Sequence, residues 1–130
     1  MNPSLTYSVI ALGAALGGLA RAGLAMAMQD PRFPWATILI NTLGSLVIGF
    51  FATLTDPTGR RPATVPLRQF VMAGFCGGFT TFSAFSVETF DLLQADRPAA
   101  ALANVGLSLI LCLGAVSIGH WAADALDRKG

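Results

Sequence analysis

Four stretches of this chain carry no formally charged side chain: 1–20, 33–55, 69–87 and 98–123, the last interrupted only by His120. Each is close to the roughly 20 residues that a helix needs to cross about 30 Å of hydrocarbon. Only 12% of the residues are charged, about half the share in an ordinary soluble domain. A soluble bundle of four such helices would need a polar stripe on each, and none is visible. The expectation is an all-α membrane protein of four transmembrane helices, forming one domain over residues 1–130.

The first run is not read as a signal peptide, because Met-Asn-Pro-Ser supplies no positive leading segment and further apolar runs follow. Proline sets the predicted boundaries: a first helix over 5–28, stopped at Pro31, and a second from after Pro34 to near Asp56. The connector DPTGRRPATVP is a loop, rich in proline. A third helix over 67–93, a turn at 95–98 and a fourth helix to about 126 complete the chain, with a frayed tail. Cys76 and Cys112 lie inside apolar runs, where neither a disulfide framework nor a metal site is expected. A formal net charge of +1 gives no case for nucleic-acid binding.

Gly13-x-x-x-Gly17 and Gly74-x-x-x-Gly78 are spaced for close helix packing, or simply reflect how common glycine is in membrane helices. With four spans, Arg60, Arg61, Arg68, Arg128 and Lys129 fall on one side, against Arg21, Arg32 and Arg97 toward the other. So weak a bias orients the chain poorly, which admits insertion both ways up and a symmetric antiparallel dimer.

Ionisable groups within the membrane are expensive and are functional candidates by default. Arg21 reads either as a side chain snorkelling to the headgroups or as a vestibule charge that draws anions. Glu88 marks an interface or bonds a helix end, and His120 beside Trp121 reads as an interfacial anchor. Asn41, and Asn104 with Ser108 one turn apart, offer uncharged polar groups that either bridge helices or line a path.

The stretch GGFTTFSAFS, 77–86, is a poor helix. Gly77 and Gly78 each cost roughly 1 kcal/mol in a helix interior, and the hydroxyls of Thr80, Thr81 and Ser83 compete for backbone carbonyls. The third helix is therefore expected to break in mid-membrane, where freed carbonyls hold a cation or freed N–H groups face an anion. In an antiparallel dimer two such breaks meet, and four carbonyls suit a small hard cation such as sodium. Phe82 and Phe85 share a face, and their positive ring edges can line an anion path; packing is the plainer reading of the same spacing.

GFCGGFTTFSAFSVE, 74–88, resembles the signature of the Fluc-type fluoride channels, the CrcB-like family. Two supporting runs agree: Gly17-Gly18-Leu19-Ala20-Arg21, and Pro34-Trp35-x-Thr37-x-x-x-Asn41-x-x-Gly44. The resemblance implies an antiparallel dual-topology homodimer in the inner membrane, with two fluoride pores and a structural sodium ion at its centre. It assigns Gly77 and Thr80 carbonyls to sodium. Phe82, Phe85, Asn41, Thr81, Ser83, Ser108 and Asn104 go to the fluoride pore, and Arg21 to a vestibule. The implied role is passive export of toxic cytoplasmic fluoride. Two departures stand out: Ala84 in place of a frequent threonine, and Asn104 in place of a frequent tyrosine.

Three other classes remain as alternatives. A small four-helix multidrug exporter needs a membrane-embedded carboxylate for proton exchange, and the first helix has Arg21 and no acid. An intramembrane hydrolase built on Ser83 or Ser86 with His120 has no aspartate within the spans to complete it. A purely structural bundle leaves the glycine pair and its hydroxyls without a purpose.

Overall fold

The computed structural model describes residues 2–129. Among them there are helices and no strands: α1 (Pro3–Ala27), α2 (Trp35–Leu54), α3 (Val65–Arg68), a π-helix (Gln69–Cys76), α4 (Gly77–Phe79), α5 (Phe82–Gln94) and α6 (Pro98–Lys129). Four helical spans are long and apolar enough to cross a membrane: Pro3–Ala27, Trp35–Leu54, Val65–Gln94 and Pro98–Arg128.

Local chemistry sets the boundaries. Asn2 caps α1 by accepting the Ser4 amide at 3.1 Å, and Pro3 occupies the first turn, where its missing N–H costs nothing. After Leu54 the Arg68 guanidinium takes over the helix end, donating to the carbonyls of Ala52 at 3.2 Å and Thr55 at 2.6 Å. A cation there complements the negative end of the helix dipole. In the connector, Asp56 accepts from the Thr58 hydroxyl and amide, which holds its carboxyl below the usual carboxylate range. α5 ends in a Schellman motif: Arg97 N–H donates to Leu92 O at 2.9 Å and Asp96 N–H to Leu93 O at 3.1 Å, with Asp96 at φ 54°. The tail expected to fray is instead helical through Lys129, with Arg128 paired to Asp124 at 2.9 Å.

Packing is inverted relative to a water-soluble bundle. Large apolar side chains such as Leu19, Leu102 and Ile110 are exposed, whereas Thr37, Asn104 and Ser108 are buried. That distribution belongs in lipid, where helices associate through small and polar residues rather than through leucine. α1 lies against the π-helix and α4 at very short range: a methyl added at Gly17 would overlap the Phe75 carbonyl, and one at Gly78 would overlap the Ala14 backbone. The two expected glycine pairs thus meet each other. α2 crosses α6 equally closely at Gly49 and Gly119, a contact that the spacing of the sequence does not announce.

The third span changes partner along its length. Its first half rests on α1, and α5 rests on α6. Between them Thr80 (φ −79°, ψ 158°) and Thr81 (φ −151°, ψ 115°) are extended. Gly77 and Gly78, the expected weak points, are both helical.

Candidate functional site

Where the helix ends at Phe79, the backbone groups it would have paired need other partners. Thr80 still donates its amide to Cys76 O at 3.0 Å and its hydroxyl to the same oxygen at 2.8 Å. Thr81 turns away. Its amide donates to Asn41 Oδ1 at 2.7 Å, and its carbonyl accepts from Asn41 Nδ2 at 2.9 Å. One asparagine amide on α2 thus pairs with Thr81 as a neighbouring strand would.

Among the carbonyls that lose their helical donors are those of Gly77 and Thr80. In a continuous helix the Thr81 amide would serve Gly77 O, but it serves Asn41. The Ala84 amide would serve Thr80 O, but it donates to Thr81 Oγ1 at 3.1 Å as the N-cap contact of α5. A third carbonyl is recovered by Arg21, whose Nε donates to Gly78 O at 3.2 Å. Gly44 of α2 makes room for this arrangement, since a methyl there would overlap Thr80 Cγ2.

Beside the extended pair lies a cavity of about 390 Å3. It is lined by Asn41, Gly44 and Ser45 of α2, by Met72, Cys76, Gly77, Thr80, Thr81, Phe82 and Phe85 of the third span, and by Ser108, Leu109 and Cys112 of α6. No lining residue carries a formal charge. Phe82 and Phe85 stand 5.5 Å apart, centroid to centroid, tilted by 44°. Phe82 is 78% exposed in a single chain, so most of its ring is free to meet a solute or another surface. Phe75 and Phe79 stack on each other at 5.8 Å and stay out of the cavity.

The structure therefore gathers Gly77, Thr80, Thr81, Asn41, Phe82, Phe85 and Ser108 on one wall system and leaves four other candidates elsewhere. Ser83 lies off the cavity with its hydroxyl 3.2 Å from that of Thr81. Asn104 sits one turn behind Ser108, fully buried, with Nδ2 donating to Thr89 Oγ1 at 2.9 Å. Glu88 accepts from the Thr37 hydroxyl at 2.7 Å and lines a separate cavity of about 320 Å3 with Asp91, Arg32 and Arg97. Arg21 reaches back to Gly78 rather than lining the cavity. His120, read as an anchor, shares a hydrogen bond of 2.8 Å with Thr53 across the α2–α6 contact.

Sequence reasoning did not anticipate the Arg68 cap, the Arg21 contact or the two cysteines on the cavity wall. Arg68 lies 13 residues beyond Thr55, outside the last turn in which a capping cation is looked for. Contact between Arg21 and Gly78, 57 residues apart, depends on tertiary packing alone.

The wall offers hydroxyls, an amide, carbonyls and ring edges, with the thiols of Cys76 and Cys112 among mostly apolar atoms. Those groups bind small ions by dipoles. Four apolar spans, packed through glycine beside an uncharged cavity with a few polar groups on its wall, define a small polytopic membrane protein.

Comparison with known proteins gives that class a family. The family model described as CrcB-like protein, Camphor Resistance (CrcB), matches residues 8–120. The chain is 52% identical over 125 residues to the fluoride-specific ion channel FluC of Gluconobacter oxydans, covering 94% of this chain and 87% of the relative. It is 49% identical over 127 residues to FluC of Paramagnetospirillum magneticum, covering 95% and 99%. A FluC 1 channel of Rhodopseudomonas palustris matches at 49% over 125 residues, covering 94% and 89%. The chain belongs to the CrcB-like family.

Proposed function

We propose that this protein is a fluoride-selective ion channel of the bacterial plasma membrane, giving passive export of toxic cytoplasmic fluoride. The observation that carries the reading is the cavity in which Asn41, Ser108, Phe82 and Phe85 converge without a formal charge, in a chain whose relatives are named fluoride-specific ion channels. Hydroxyl and amide hydrogens and positive ring edges stabilise a small anion by dipoles. A fixed cation would bind it too tightly to let it leave, and conduction needs binding weak enough for exit.

The working unit is an antiparallel homodimer with two pores. Phe82 and much of the Gly77 face are open in one chain, which leaves a wall for a second copy to complete. The third span is then a helix broken at membrane depth, tolerated because its backbone lines a cavity and is paired by Asn41. Sodium fits the remaining donors: Gly77 and Thr80 carbonyls have lost their helical donors, and carbonyl oxygen is the ligand type for a hard cation. Two from each copy make four. A cation bound there would fix the two extended segments against each other, which makes its role structural.

The protein is not an enzyme, in keeping with a family of channels. The multidrug-exporter alternative lacks its central group, since no Asp or Glu lines the cavity and Glu88 lies in another. Expression in a bacterium deprived of its own fluoride export tests the reading in cells. Restored growth in fluoride is expected, and growth no better than that of the empty-vector strain would contradict it.

A further inference from the structure

α1 runs on past the point where the third span leaves it. Along that span α1 packs on the π-helix and α4, whereas α5 rests on α6. Gly17 makes a close approach there, against the Phe75 carbonyl and the Phe79 amide. Arg21 stands one turn further along the same face of α1. At that level an unbroken third helix would make its next turn.

The break frees the carbonyls of Gly77, Gly78, Phe79 and Thr80, which the amides of Thr81 to Ala84 would have served. Thr81 donates to Asn41 and Ala84 to Thr81 Oγ1. Phe82 and Ser83 open α5, where the first amides have no partner within their own helix. Gly77 and Thr80 line the cavity; Gly78 and Phe79 do not. Gly78 packs instead on the Ala14 backbone, and Arg21 Nε donates to its carbonyl at 3.2 Å. No carboxylate among the described residues pairs with Arg21, so its charge bears on that peptide. The guanidinium occupies the place of the Phe82 amide.

We propose that Arg21 is a positioning residue of the broken span: it replaces the Phe82 amide on Gly78 O, and so keeps the carbonyls of Gly77 and Thr80 open for a cation. Without that donor, Gly78 O is an unpaired acceptor in a close helix contact, which is costly. The chain can relieve it by winding Phe82 back into the helix. That rewinding takes Thr80 and Thr81 out of their extended conformation and closes the cation site. What matters is the position of the Nε hydrogen, not a charge lent to a vestibule. The link to a cation rests on the fluoride-channel reading above; the contact with Gly78 does not.

Two substitutions separate donor from charge. Glutamine places an N–H donor, Nε2, as many bonds from Cα as arginine Nε and carries no charge. Lysine keeps the charge, but has a methylene at that place and its ammonium one bond further out. The unfolding temperature of the purified protein in detergent is read in sodium chloride and in potassium chloride at equal concentration. In potassium, Arg21→Lys is expected to melt roughly 4 °C below wild type, the shift from losing one buried hydrogen bond, and Arg21→Gln less than half as far below. The extra stabilisation by sodium is expected to persist in Arg21→Gln and to be at least halved in Arg21→Lys.

Arg21→Lys melting like wild type, with Arg21→Gln the lower of the two, overturns the proposal, because the charge is then what counts. A sodium effect equal in wild type and Arg21→Lys overturns the positioning role. If the wild type melts alike in both salts the cation reading fails, and the order of the variants in potassium still decides the contact. Should neither variant be recovered folded, the wild type decides. By NMR its Arg21 Nε hydrogen is expected to exchange with solvent roughly tenfold more slowly than those of the exposed Arg60 and Arg61, and exchange as fast as theirs overturns the contact.

Discussion

Asn41 pairs with Thr81 through both atoms of its amide, accepting the Thr81 N–H at 2.7 Å and donating to the Thr81 carbonyl at 2.9 Å. A side chain from one span does for an extended residue of another what a neighbouring strand does in a sheet. Asn41→Leu removes both bonds and strands two backbone groups, at a cost of roughly 2–4 kcal/mol. Asn41→Asp keeps only the acceptor. Thermal unfolding in detergent is expected to rank wild type above Asp and Asp above Leu, with fluoride efflux in the same order. Equal melting of all three would show that Thr81 does not depend on Asn41.

How far the sequence announces this site depends on the kind of interaction. Uncharged runs mark the four spans, because hydrocarbon admits little else. The glycine spacing marks the α1 contact, since both pairs lie where backbones nearly touch. Propensity alone points to Gly77 and Gly78 as the weak place, yet both are helical and the extended pair is Thr80–Thr81. Close approach to Ala14 gives Gly78 a packing reason that host–guest propensities do not contain. The π-helix over Gln69–Cys76 is likewise silent in the sequence, because i→i+5 pairing leaves no periodic mark in so short an apolar run.

Gly78→Ala tests the packing. A methyl there meets the Ala14 backbone, which cannot swing aside as a side chain would. The expected loss is about 1–3 kcal/mol, read as a lower unfolding temperature. Gly106→Ala, at a position with open space around it, is expected to leave stability unchanged or slightly raised. Identical behaviour of the two variants would refute the close contact.

Asp96 offers a test of local structure far from the cavity. At φ 54° it sits in the left-handed region at the end of α5, where glycine carries no steric cost. Asp96→Gly is expected to raise stability by up to about 1 kcal/mol, with fluoride efflux unaltered. A lower unfolding temperature would mean that the aspartate side chain contributes more than its backbone costs.

Phe82 and Phe85 face the cavity 5.5 Å apart, and their ring edges are assigned to the anion. Isoleucine keeps much of the volume and removes the quadrupole. Phe82→Ile and Phe85→Ile are each expected to slow fluoride efflux at least tenfold while the protein still elutes at the wild-type volume. Unchanged efflux in both would return the rings to packing.

The uncharged cavity beside Thr80 and Thr81 is predicted to conduct fluoride selectively. Its most direct test is efflux from liposomes that contain the purified protein, followed with ion-selective electrodes for fluoride and chloride in parallel. Rapid loss of fluoride with chloride retained at the level of protein-free liposomes is the predicted result. Equal leakage of both ions, or none of either, would contradict it.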